Sequence, residues 1–197
     1  MNLTDGYHDV APGKLAAVVT CLEMRAKPEA RPDPAAVDHR LERRPRPDLA
    51  WYRALFARVG EPVLWYSRLA MSDEELRATV HDPRVEVYAA CSGAREDGLL
   101  ELDFRVAGEC ELGFFGIVQT ATGRGVGRWL MNRALEIAWS HDISRMWLHT
   151  CTLDQPGIVQ FYERSGFRPF KRQVEVFNDP RAFGLLPRDA APHVPLL

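Results

Sequence analysis

The chain has 197 residues, 46% of them apolar, with 25 Lys or Arg against 27 Asp or Glu and a formal net charge of −2. That length favours one domain around one sizeable core, and interspersed charges of both signs exclude a basic nucleic-acid footprint. The densest basic cluster, Arg40, Arg43, Arg44 and Arg46, is broken by Pro45 and Pro47 and reads as a solvated loop. No apolar run approaches the ~20 residues of a membrane span, and Met1 to Lys14 lacks a basic region followed by an apolar stretch. Cys21, Cys91, Cys110 and Cys151 stand far apart with no CxxC pair, as expected of reduced, structural thiols. Together these features predict a cytoplasmic protein with neither a nucleic acid nor a membrane as partner.

Leu15 to Met24, apolar and β-branched, predicts a first strand. Lys27 to Pro47 carries five prolines among charges and reads as a loop. Asp48 is placed to cap a helix that buries Trp51, Leu55 and Phe56. Ser72 with Glu75 forms a capping-box signature for a second helix, which ends near His81 before Pro83. Val85 to Ser92 is strand-like. Leu99 to Val106 alternates apolar and charged residues, and Gly108 separates it from Glu109 to Gln119, so these two runs predict a hairpin.

Val126, Leu130, Ala134 and Ile137 then fall on one face of an amphipathic helix. Met146 to Cys151 is a strand, Pro156 to Arg164 a short helix stopped before Gly166, and Phe167 to Phe177 a final strand. The tail from Pro180 is Pro-rich and reads as extended. Adjacent strands followed by strand–helix alternation predict an α/β (α+β) fold: a mixed, mostly antiparallel sheet of six to seven strands with helices on both faces.

The segment Thr122-Gly-Arg-Gly-Val-Gly127 lies between a β-run and the amphipathic helix. Glycine at alternate positions removes the Cβ atoms that would hold a ligand off the backbone. The first-turn N–H groups of the helix lack internal partners, and with the helix dipole they make a site for a diphosphate. Arg124 and Arg128 add positive charge at the rim. No Walker A run exists, and a dinucleotide fingerprint would need glycine where Arg128 stands. Downstream, Phe161-Tyr162-Glu163-Arg164 sits on a helix with Gly166-Phe167 at its exit, Gly166 suiting a left-handed cap.

These two segments, at this separation, resemble the GNAT superfamily of N-acetyltransferases, and Leu153-Asp-Gln-Pro with Phe161-Tyr162 and Gly166-Phe167 is similar to a bacterial branch of it. Thr122 departs from the Arg or Gln that usually opens the loop, and Gln155 stands where many members have Asn. The resemblance covers roughly residues 85–178. It implies a single acetyltransferase domain over 1–197, with that core binding the cofactor, 28–83 as a helical acceptor-side segment and 180–197 as an extended tail.

The resemblance further implies acetyl-CoA as co-substrate and a primary amine of a small molecule or peptide as acceptor, attacking the thioester directly through a tetrahedral intermediate. The strand before the loop is expected to splay, so that Phe115, Ile117 and Val118 bind the pantetheine arm like an added strand, with a backbone N–H near Ile117 for the oxyanion. Thr122, Gly123, Arg124, Gly125, Val126, Gly127 and Arg128 are expected at the phosphates, with Gln155 and Phe161 also at the cofactor. Tyr162 is the expected acid for the departing thiolate and Glu111 the expected base, with Glu109 and Glu101 as substitutes. His141 and His149 read as structural, and no spacing suggests a metal site. Trp51, Tyr52, Trp65, Tyr66 and Arg68 are candidates for an acceptor pocket. A non-catalytic acyl-CoA sensor or partner subunit is the alternative reading, and either a monomer or a homodimer is compatible with the sequence.

Overall fold

The computed structural model describes residues 3–29 and 31–197. Its elements are β1 (Lys14–Met24), β2 (Arg40–Arg43), α1 (Leu49–Gly60), α2 (Ser67–Ala70), α3 (Asp73–Val80), β3 (Val85–Ser92), β4 (Arg95–Asp103), β5 (Glu109–Ile117), α4 (Val126–Ala138), β6 (Arg145–Cys151), α5 (Ile158–Arg164) and β7 (Arg168–Asn178). The strands form one seven-stranded sheet in the order β2-β3-β4-β5-β6-β1-β7. Among the described residues only β5 and β6 run parallel; α4 supplies the crossover that a parallel pair requires.

Each face of the sheet has its own apolar cluster. α4 and α5 cover Leu22, Leu100, Leu102, Met146, Leu148 and Phe167 with Leu130, Met131 and Ala134. On the other face, Tyr52, Leu55, Phe56 and Val59 of α1 and Leu76 and Val80 of α3 cover Val87, Ala89 and Leu99. The helix starts follow their caps: Asp48 accepts from the Trp51 N–H at 2.9 Å, and Ser72 and Glu75 close a reciprocal capping box.

Three stretches differ most from the sequence expectation. Arg40–Arg43 lies inside the expected loop but pairs as an edge strand with Tyr88–Cys91, turning half-buried Leu41 toward the core while its charged neighbours line the sheet edge. β4 begins at Arg95 rather than after Gly98, which sits inside the strand close against Gly116 O and Ala90.

The tail is the third difference, since it folds into turns instead of running extended. Arg181 is buried with Asp179, 2.7 Å between Nη2 and Oδ2, and its Nη1 donates to the carbonyls of Ala190 (3.1 Å) and Val194 (2.8 Å). This one guanidinium gathers the carbonyls that the prolines leave unpaired, and it holds the Asp179 carboxyl below the usual range. Leu186, Ala190 and Ala191 then pack against Leu64, Leu15, Leu69 and Leu153.

Removing the guanidinium would strand a buried carboxylate. Arg181→Ala is expected to lower stability by about 3 kcal/mol, seen as a lower urea midpoint with an unchanged slope.

Candidate active site

Parallel pairing between β5 and β6 covers only Glu109–Glu111 against Arg145–Trp147. Beyond that point the strands part, and a cavity of about 820 Å³ opens between them. The register with β4 determines what β5 presents to this opening. Val118 N–H donates to Asp97 O at 2.8 Å, and Leu99 stands opposite Gly116. Alternation along an antiparallel ladder therefore turns the polar groups of Gly116 and Val118 toward β4 and those of Phe115 and Ile117 toward the opening. Of the three residues expected to offer backbone groups there, Val118 is the exception, because its N–H is already committed within the sheet.

The far end of the opening meets the start of α4. Gly123 and Gly125 have φ of +77° and +86°, and Gly125 is the N-cap. A Cβ on Gly125 would stand 2.8 Å from Pro34, so both conformation and space demand glycine there. Thr122, Gly123, Gly125, Gly127 and Arg128 line the cavity, and the Arg128 Nε is buried with no partner among the described residues. An unpartnered guanidinium nitrogen beside helix N–H groups is a fit for a diphosphate. Val126 instead enters the core, while Arg124 is exposed and outside the cavity wall. Gln155 and Phe161 both face the cavity.

Tyr162 is buried at the same wall, its ring 6.2 Å from Phe115 and 5.5 Å from Phe161. Burial, with the charge of Asp154 added, pushes its hydroxyl well above an ordinary phenol. Asp154 is fixed by the Thr150 hydroxyl (2.5 Å) and the Cys151 N–H (2.9 Å).

The three carboxylates separate cleanly. Glu109 lies outside the cavity wall and is paired with Arg145 at 3.1 Å. Glu101 is wholly buried, accepting from the Tyr52 hydroxyl at 2.5 Å and from Arg68. Glu111 faces the cavity with no such commitment. Burial raises its carboxyl above the usual range, opposed by His149, whose Nδ1 stands 3.8 Å from Oε1.

A strand pair that parts above a helix N-terminus, with Tyr162 on one side, agrees with the family that the sequence motifs resemble. The family model described as the Acetyltransferase (GNAT) family matches residues 39–167. This chain belongs to the GNAT acetyltransferase family. A GCN5-related N-acetyltransferase from Sphaerobacter thermophilus superposes with TM-score 0.60 at 16% identity, over 86% of this chain and 53% of that one. One from Kribbella flavida gives 0.54 at 16% identity, over 85% and 60%. An aminoglycoside acetyltransferase from an uncultured soil metagenomic sample gives 0.52 at 14%, over 64% and 86%. These likenesses concern the fold, and the chain spans little more than half of the Sphaerobacter protein. No curated protein matches the sequence.

Within this GNAT site, two features escape sequence reasoning. The sequence reads His149 as structural, yet it lines the cavity beside Glu111. Its signal lies in strand alternation: Leu148 and Thr150 are buried on one face, which turns His149 to the other. The Tyr52–Glu101–Arg68 cluster carries no local signal. Of the aromatic residues expected at an acceptor pocket, Trp65 and Tyr66 line the cavity with Arg68, whereas Tyr52 lies behind the wall and Trp51 bonds Glu96 at 2.9 Å. His141 stacks on Phe104 at 4.1 Å, away from the cavity. Among the described residues no group of His, Cys, Asp or Glu could hold a metal ion, and no helix is long and apolar enough to cross a membrane.

Arg68→Ala would leave the Glu101 carboxylate buried with only Tyr52, and is expected to cost about 3 kcal/mol or more in urea unfolding.

Proposed function

We propose that this GNAT acetyltransferase uses acetyl-CoA to acetylate a primary amine of a small molecule or peptide within a ternary complex. The observation that carries the reading is the outward-turned backbone of Phe115 and Ile117, which leads to the α4 N-terminus and the unpartnered Arg128. Acetyl-CoA supplies an activated thioester when bound. Phe115 and Ile117 offer an extended edge to a pantetheine amide chain. The N-terminus of α4, Gly123, Gly125, Gly127 and Arg128 take the diphosphate.

Glu111 is the base. Its raised carboxyl accepts a proton from an incoming ammonium more readily than an ordinary exposed glutamate would. The Ile117 N–H faces the opening, where a donor can stabilise developing oxyanion charge. Tyr162 stays protonated through the physiological range and holds its proton for the departing thiolate. Trp65, Tyr66 and Phe177 form the aromatic side of the acceptor chamber, with Glu175 at the same wall. Two committed carboxylates, Glu101 and Glu109, are left to structural work.

The deciding measurement is release of free CoA thiol across a panel of amines, beside calorimetry of acetyl-CoA binding. Binding without turnover on any amine would replace this reading with a non-catalytic acyl-CoA sensor. Tyr162→Phe is expected to lower kcat about 100-fold with the KM for acetyl-CoA little changed. Gly125→Ala should do the reverse, raising that KM about tenfold through strain at the loop.

A base must be deprotonated, so kcat/KM should rise with pH through an ionisation above the ordinary glutamate value. Glu111→Gln should flatten that limb. His149→Ala, which removes the charge that lowers the Glu111 carboxyl, should move the limb to higher pH.

A further inference from the structure

β7 is the edge of the sheet, eleven residues long, and every residue on it except Phe177 is exposed. Such an edge is a template for another strand. Exposed large apolar side chains gather here: Phe170, Val174 and Val176 on the strand, and Val18 on the neighbouring β1. The register Val18↔Val174 and Ala16↔Val176 puts both β7 valines on one face with Val18. Asp179 N–H donates to Gly13 O at 2.9 Å. Counting back along the Lys14↔Asn178 register, the backbone groups of Lys171, Gln173, Glu175 and Phe177 turn toward β1. Those of Arg172, Val174, Val176 and Asn178 face the open edge.

We propose that two copies of this chain pair through β7, antiparallel, about a twofold axis at Gln173. A twofold perpendicular to the sheet keeps each face continuous, so only same-face residues can oppose one another, and the axis falls on a single residue. An axis at Arg172 would set that arginine against its own copy, and one at Glu175 would oppose two glutamates. An axis at Val174 would pair Gln173 with Glu175 and match no opposite charges.

At Gln173 the pairing is self-complementary. Lys171 stands opposite Glu175 of the second copy, twice over, and Arg172 and Val174 exchange backbone hydrogen bonds. Val174 of each copy meets the other diagonally across the axis, and Val176, two residues along the same face, extends the apolar stripe at each end. Pro169 and the bulge at Phe170, where the β1–β7 register shifts, end the ladder, and the pairing closes as a dimer because the twofold uses the β7 edge of both copies. Because Glu175 also lines the cavity, the second copy contributes Lys171 to the mouth of the acceptor chamber.

The test is sedimentation analysis of the full chain across the micromolar range, without ligand, so that it is independent of the catalytic reading. Wild type should be a dimer. Lys171→Glu and Glu175→Lys should each weaken association by about tenfold or more, since each turns two attractive pairs into repulsive ones. The double variant K171E/E175K should recover it. Mixing the two single variants should also restore dimers, because the two acidic positions of one variant then face the two basic positions of the other. That arm needs no double variant to fold, and the exposed sites leave far-UV dichroism of both singles unchanged. A wild type that sediments as a monomer, single variants that dimerise as tightly as wild type, or a mixture that stays monomeric would each overturn the proposal.

Discussion

The site depends on β5 losing one partner, β6, partway along its length while it stays bonded to β4. At Glu111 it is still bonded to β6; two residues later, between Leu112 opposite Leu102 and Phe114 opposite Glu101, Gly113 is the extra residue of a bulge against β4. A bulge sharpens twist locally, and this one falls where the two parallel strands separate. Gly113 also lies against the buried Glu101 carboxylate: a Cβ there would sit 3.3 Å from Oε1. The ion pair with Arg68, the Tyr52 hydrogen bond, the glycine and the opening between strands are thus parts of one arrangement. Arg68 reaches Glu101 while lying 5.0 Å over the Phe114 ring, so the charge that satisfies the sheet interior also forms part of the chamber wall.

A second constraint fixes the helices that face this opening. The segment after β1 crosses the start of α4 and the end of α5. Pro34 abuts Gly125, Asn132 donates to Arg31 O at 2.8 Å and to Asp33 Oδ1 at 2.7 Å, and Arg31 Nη1 donates to Arg164 O at 3.3 Å. Asn132 is buried in α4, where an amide without partners would be costly. The proline-rich composition that makes this stretch a poor helix or strand suits a strap, because proline surrenders little further freedom when it is fixed in place.

What is legible in the sequence is whatever has a local cause. Alternate glycines from Gly123 to Gly127 mark the tight turn into α4, and the capping residues Asp48 and Ser72 mark helix starts, because each depends on neighbours within a few residues. Glu111 and Tyr162 come through the resemblance of motifs and fall on the cavity wall. What is not legible has a distant cause. Arg68 and Glu101 are 33 positions apart, Arg43–Glu86 joins an edge strand to its neighbour, and the burial of Arg181 depends on carbonyls as far on as Val194. β2 is four residues with charges at three of them, so only the neighbouring strand defines it. Val118 shows the limit of carrying a motif by spacing alone: one step along a strand reverses which way an amide points.

The folded tail has a consequence for how this chain can change over generations. A segment that follows the last strand of a sheet is ordinarily free to drift. Here Leu186, Ala190 and Ala191 support Leu64 and Leu69, which flank Trp65, Tyr66 and Arg68 at the cavity wall. Substitutions at Leu186, Ala190 or Ala191 are therefore felt under the cavity wall without changing any residue that lines it. A lineage could reshape that wall through these buried positions, leaving the glycines at the start of α4, Glu111 and Tyr162 untouched.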